Sequence, residues 1–190
     1  ADLSLLQISI FVAAFYIGAM VFQFPVGWLS DRMDRRILIV VTSAIGFFAA
    51  VIAIFGEDIF IIVLGSAFFI GGMSNPLYSL LIAYTNDFLE PDDMASASGG
   101  LLFLNGLGAI SGPLFTGYLM TEIGPIGFFV ILAALLGVLT AYGFYRMTQR
   151  GISDVDTSSY ATVLPTTSAV AVEIAQELAI EAAEEIDESA

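Results

Sequence analysis

The sequence predicts an all-α membrane protein: five transmembrane helices joined by short turns and followed by a polar tail. Three observations predict it. Hydrophobic residues make up 58% of the 190 residues, and the mean hydropathy is +0.91, far above the value for a soluble domain. The apolar residues gather into five runs without Asp, Glu, Lys or Arg, each about as long as the ~20 residues that ~30 Å of hydrocarbon requires. The alternation of a barrel strand is absent, so each run must satisfy its own backbone as a helix.

The runs cover residues 5–29, 37–55, 59–84, 95–120 and 126–145. The first ends in a turn holding three arginines and two aspartates between residues 30 and 36. The second ends at Gly56-Glu57-Asp58, and the fourth at Glu122-Ile123-Gly124-Pro125, with turn-forming residues where the chain must reverse. The turn after the third run carries Asp87, Glu90, Asp92 and Asp93. Pro91 suits a first helical position, and the carboxylates beside it suit the positive end of the helix dipole. That segment reads as a charged helix start; the alternative is that its acids face the arginines of the first turn. Residues 1–147 are therefore expected to form the transmembrane bundle and 148–190 an acidic cytoplasmic tail. In the tail, 153–168 reads as a linker and 169–186 as a solvated, frayed helix or disorder, since Glu173, Glu177 and Glu181 share a helical face and repel.

Charge sets the orientation. The five basic residues are Arg32, Arg35, Arg36, Arg146 and Arg150. With five spans, the first turn and the C-terminus lie on one side. The turns on the other side carry Glu57, Asp58 and Glu122 and no base. The positive-inside rule puts the arginine side in the cytoplasm and the N-terminus outside, in a cell (inner) membrane. The net charge of −14 gives no basic surface for nucleic acid. The absence of Cys and His removes disulfides, thiol nucleophiles and the usual zinc sites, so neither a metal nor a cofactor is expected. Asp2 stands where a signal peptide needs a basic region, and the first residue is Ala1; both fit a chain that begins partway through a larger protein.

The first turn reads Gly27-x-x-x-Asp31-Arg32-x-x-Arg35-Arg36. It resembles the cytoplasmic-loop signature of the major facilitator superfamily, G-x-x-x-D-R-x-G-R-R/K, with Asp34 in place of the second glycine. That departure suggests the weaker second copy of the signature, between helices 8 and 9 of a twelve-helix transporter. The fourth run, with Gly108, Gly112, Pro113 and Gly117, looks like the family's glycine–proline helix-packing pattern in helix 11. The resemblance implies a partial C-terminal six-helix half, helices 8–12, with helix 7 and the N-terminal half missing. In the family this charged loop acts at the interface between halves and helps set the inward-closed state. Gly27 allows close helix approach, Asp31 accepts hydrogen bonds, and Arg32, Arg35 and Arg36 pair with cytoplasmic carboxylates.

Intramembrane polar groups are few, and no acid lies within a span, so an ion-coupling carboxylate must sit elsewhere if one is used. Tyr16, Asn75 and Asn105 lie near the centres of the first, third and fourth spans, the depth at which transporters bind solute. Gln23 shares a helical face with Tyr16, and Tyr78 one with Asn75. The resemblance makes these spans cavity-lining helices 8, 10 and 11, and the other two peripheral and lipid-facing. Tyr16, Gln23, Asn75, Tyr78 and Asn105 are thus candidate cavity residues. For Asn105 an interhelical hydrogen bond is an equal alternative, and Pro76 is expected to break its helix beside Asn75. Tyr84, Tyr118, Tyr142 and Tyr145 read as interfacial anchors or packing.

The expected function is the C-terminal part of a secondary transporter moving a small-molecule solute by alternating access, with the lipid bilayer and the missing half as partners. Five helices alone do not enclose a two-sided pathway. The alternative is a membrane-embedded scaffold docking partners through its acidic tail. No catalytic constellation is legible, and no enzymatic activity is expected.

Overall fold

A computed structural model describes residues 4–89 and 91–149; the linker and helix readings for the tail lie outside them. The described residues form five helices, α1 (Leu5–Ser30), α2 (Arg35–Phe55), α3 (Phe60–Asn86), α4 (Pro91–Ile123) and α5 (Ile126–Gln149). All five are long and apolar enough to span a bilayer. Each exceeds its apolar run wherever polar caps continue the helix. Ser4 caps α1 in a reciprocal pair with Gln7, satisfying amides that hydrocarbon would leave bare. Pro91 is the first residue of α4, where its missing N–H costs nothing. Between α4 and α5, Gly124 takes φ +82°, a conformation that a Cβ strains.

In space the neighbours run α1, α3, α2, α5, α4, with only a slight touch between α1 and α2. Two apolar clusters stack along the bundle. Ala49, Ala50, Ala53, Val63, Ile70, Phe129 and Ala133 pack at the end away from the arginine turn. Val26, Leu38, Ile39, Leu77, Leu80 and Leu136 pack towards it. Lipid is as apolar as these side chains, so what holds the helices together is close fit, not escape from solvent.

The tightest seam joins α1 to α3. A Cβ on Gly18 would collide with the Phe68 carbonyl oxygen, and one on Gly71 with the Phe15 carbonyl oxygen. Each glycine thus lets the other helix's backbone settle against it. Phe22 lies over Gly72 and meets Phe68 edge-on at 5.6 Å.

The second seam joins α2 to α5. There the helices expected to be peripheral and lipid-facing also present a packed face to each other. Leu38 and Ile39 are buried, as are Thr42 and Ser43. Thr140 Oγ1 donates to Ser43 Oγ at 3.1 Å, and Ser43 Oγ donates back to the Ile39 carbonyl at 2.7 Å. An apolar stretch in a membrane helix suits a helix neighbour as well as it suits lipid, so composition does not tell the two faces apart. Ser43→Ala should lower stability by only about 0.6 kcal/mol, the usual value of such a bond in lipid. Denaturation of the chain in detergent against the parent sequence checks this; a loss several times larger would mean that the bond does more than join two helices.

α3 also departs from expectation in running unbroken through Pro76. Asn75 Nδ2 donates to the Gly71 carbonyl at 3.4 Å, so the side chain bonds back along its own helix. α1 and α4 keep the largest bare faces. Along α4, Phe103, Leu104, Ile110, Leu114, Phe115 and Tyr118 are all exposed, a surface compatible only with lipid or further helices.

Candidate functional site

The turn between α1 and α2 spans residues 31–34 and brings three helix ends together around Arg35. This guanidinium is 1% exposed, yet it opens a helix. Its Nε donates to Ser30 Oγ at 3.1 Å, and Ser30 is itself buried. Its Nη1 donates to the Ala83 carbonyl at 3.2 Å and to Asp87 Oδ1. Its Nη2 lies 3.9 Å from Asp31 Oδ1. Ser30 and Asp31 close α1, and Ala83 and Asp87 close α3. One positive group therefore sits at the negative ends of two helix dipoles and between two carboxylates.

The two carboxylates differ. Asp87 is 6% exposed and Asp31 is 44% exposed. Asp87 is the buried counter-ion; Asp31 is the outer one, reached by water.

Asp34, the residue that departs from the loop signature, has a structural role. Its Oδ1 accepts from the Arg36 backbone N–H at 2.9 Å, capping α2. Both its carboxylate oxygens accept from Arg36, Nη2 to Oδ2 at 3.0 Å. A carboxylate at a helix start satisfies an orphan amide and suits the dipole. Arg32 turns outward instead. Its guanidinium lies 4.2 Å from the Trp28 ring centre, and Nη1 donates to the Trp28 carbonyl at 3.2 Å, a cation–π pair at the level of the bilayer surface. Gly27 is buried one turn before the knot.

The turn arginines thus part company: Arg35 goes inward, Arg36 is held by its own cap, and Arg32 goes outward. Of the acids in the turn after α3, Asp87 meets the arginines as the alternative reading had it. Asp87 is named in the sequence only as one of four acids of its turn, and Ser30 and the Ala83 carbonyl carry no signal there. A signal for Asp87 existed: it is the first charge after an uncharged span that must end on the arginine side.

The candidate cavity residues are spread across three helices. Tyr16 is 65% exposed, its ring edge-on to Phe15 at 5.7 Å, off the Phe15–Gly18–Phe22 seam. Gln23 is half-buried. Asn75 and Tyr78 are half-buried on α3, and Tyr78 packs with Leu101 of α4 around Ile82. Asn105, also half-buried, lies one turn beyond Leu101 on α4. A Cβ on Gly108, Gly112 or Gly117 would meet nothing within 4 Å, so these glycines, with Pro113 inside the same helix, make no close approach to the other four helices.

The family model described as Major Facilitator Superfamily matches residues 1–172. The chain belongs to the major facilitator superfamily. This superfamily member is 34% identical over 135 residues to the uncharacterized MFS-type transporter YfkF of Bacillus subtilis (strain 168). The match takes in 68% of this chain and 33% of that relative, so the chain spans about a third of the relative's length. No solved structure matches it. Family and helices together make it a multi-pass membrane protein.

Proposed function

We propose that the chain supplies helices 8–12 of a secondary transporter that moves a small solute by alternating access, with the Arg35 knot as a conformational clasp on its cytoplasmic face. Family membership supports transport. The observation that carries the clasp is the buried Arg35 guanidinium joining the ends of α1 and α3. Those ends move together or the charge is stranded, so the bundle shifts as a unit. Asp31, half in water, is the group on which a second bundle would act. The N-terminus lies outside and the arginine turn in the cytosol of the inner membrane. Tyr16, Gln23, Asn75, Tyr78 and Asn105 face the solute pathway once the other half covers α1 and α4. The bare faces of those helices supply the surface for that half.

Asp31→Asn tests the clasp. Asp31 is 44% exposed and Arg35 keeps its buried counter-ion Asp87, so stability should change by less than about 1 kcal/mol. The conformational balance should shift more visibly. The chain has no cysteine of its own, so Asn75→Cys in the whole, otherwise cysteine-free transporter gives one label at mid-depth. Asp31→Asn should raise its labelling from the cytosolic side by about five-fold, the effect of ~1 kcal/mol of bias between two states. Membrane insertion should stay the same. Equal labelling rates in the two proteins would reject the clasp.

A further inference from the structure

A second feature lies at the arginine end, outside the knot. The first two turns of α2, the last two turns of α3 and the last three turns of α5 border a cavity of about 170 Å³. Arg36, Arg146, Tyr84 and Tyr142 line it together with the apolar Leu81 and Leu139. Asp34 holds Arg36 in place through Nε and Nη2. Arg146 is exposed and makes no ion pair or hydrogen bond among the described residues.

We propose that this cavity binds the headgroup of an anionic phospholipid of the surrounding leaflet, with the acyl chains running down the apolar outer surface. Four observations converge on that occupant. The cavity sits at the level where the helices leave the hydrocarbon, marked by tyrosines and the first charges of α2 and α5. Arginines from two helices line one space, Arg36 paired with Asp34 and Arg146 exposed, and guanidinium is the group that recognises a phosphate diester. Tyr84 and Tyr142 belong to the same lining, and a phenol hydroxyl is a donor for phosphate or glycerol oxygens. The rest of the lining is apolar, with Ile39, Leu81, Leu139 and Met147, which a free anion has no use for and an acyl chain does. Basic pockets between helices on the cytoplasmic side are suited to such headgroups. The volume holds a headgroup and not a whole lipid. The inference depends on the proposed orientation only in naming the leaflet as cytoplasmic, and its test does not involve transport.

The full chain, purified in detergent, would be titrated with phosphatidylglycerol or phosphatidylcholine and the bound lipid counted by native mass spectrometry. Phosphatidylglycerol should bind about five-fold more tightly, the value of one arginine near an anionic surface. Arg146→Gln should abolish the preference, and Arg146→Lys should keep most of it. Because Arg146 is exposed, neither change disturbs packing. Arg32→Gln, a charge loss at the same end but outside the cavity, should leave the preference intact. Equal binding of the two lipids, an unaffected Arg146→Gln chain, or the same loss in Arg32→Gln would overturn the proposal. Displacement of phosphatidylglycerol by millimolar inorganic phosphate would overturn it too, showing a small-anion site instead.

Discussion

Asp87→Ala should destabilise the folded bundle by about 3 kcal/mol, among the largest losses available to a single side chain here. Arg35 is 1% exposed and Asp87 is 6% exposed. Removing one member of a buried ion pair leaves the other charged and unpaired, which costs ~3–5 kcal/mol. The lower end applies because Asp31 stands 3.9 Å away and retains part of the attraction. The double variant Arg35→Met/Asp87→Leu should recover most of the loss, since it removes the desolvated charge along with its partner. Unfolding of the chain in mixed detergent micelles would measure both. A single-variant loss under about 1 kcal/mol would mean that the pair is wetter than its burial indicates.

Gly71→Ala should cost a similar amount, about 3 kcal/mol, the upper range for overpacking. Its Cβ has nowhere to go: the obstacle is the Phe15 carbonyl oxygen, a backbone atom that no rotamer change removes. Gly18→Ala meets the same obstacle in the Phe68 carbonyl oxygen, and both changes must push α1 away from α3. Gly108→Ala is the matched control. A Cβ there meets nothing within 4 Å, so the isolated chain should tolerate it, with a small gain in helix propensity. Equal effects at Gly71 and Gly108 would contradict the α1–α3 seam. Thermal denaturation of the three variants in one detergent separates these outcomes.

Much of the architecture was legible because a bilayer imposes length and charge rules that act on the sequence directly. Five uncharged runs became five helices, and Pro91 became the first residue of α4. The ends were less legible, since helices continue into capped polar residues that hydropathy cannot assign. Asp34 shows this: it is a departure from a motif in the sequence and an N-cap in the structure.

The site was half legible. Clustered arginines identify the turn, but three adjacent guanidiniums look alike in sequence. Their fates diverge because Arg32 sits in the turn, while Arg35 and Arg36 open α2 and point ~100° apart about its axis. Arg32 falls on the Trp28 side, Arg35 under α3 and Arg36 beside its cap. Likewise, glycines at Gly108 and Gly112 and at Gly18 and Gly71 are equivalent as letters. Only the second pair meets another backbone in this chain.

Sequence by itself determined that the chain is a bundle of membrane helices, how many there are, and that its arginines gather at one end. Hydrocarbon admits no unpaired backbone and little charge, and those exclusions are one-dimensional. Tertiary structure alone decided which helices touch, that Asp87 is the partner of Arg35, and that Gly18 and Gly71 carry the closest approach. In lipid no solvent pressure distinguishes an inner apolar face from an outer one, so pairing follows from shape, which exists only once the helices have met.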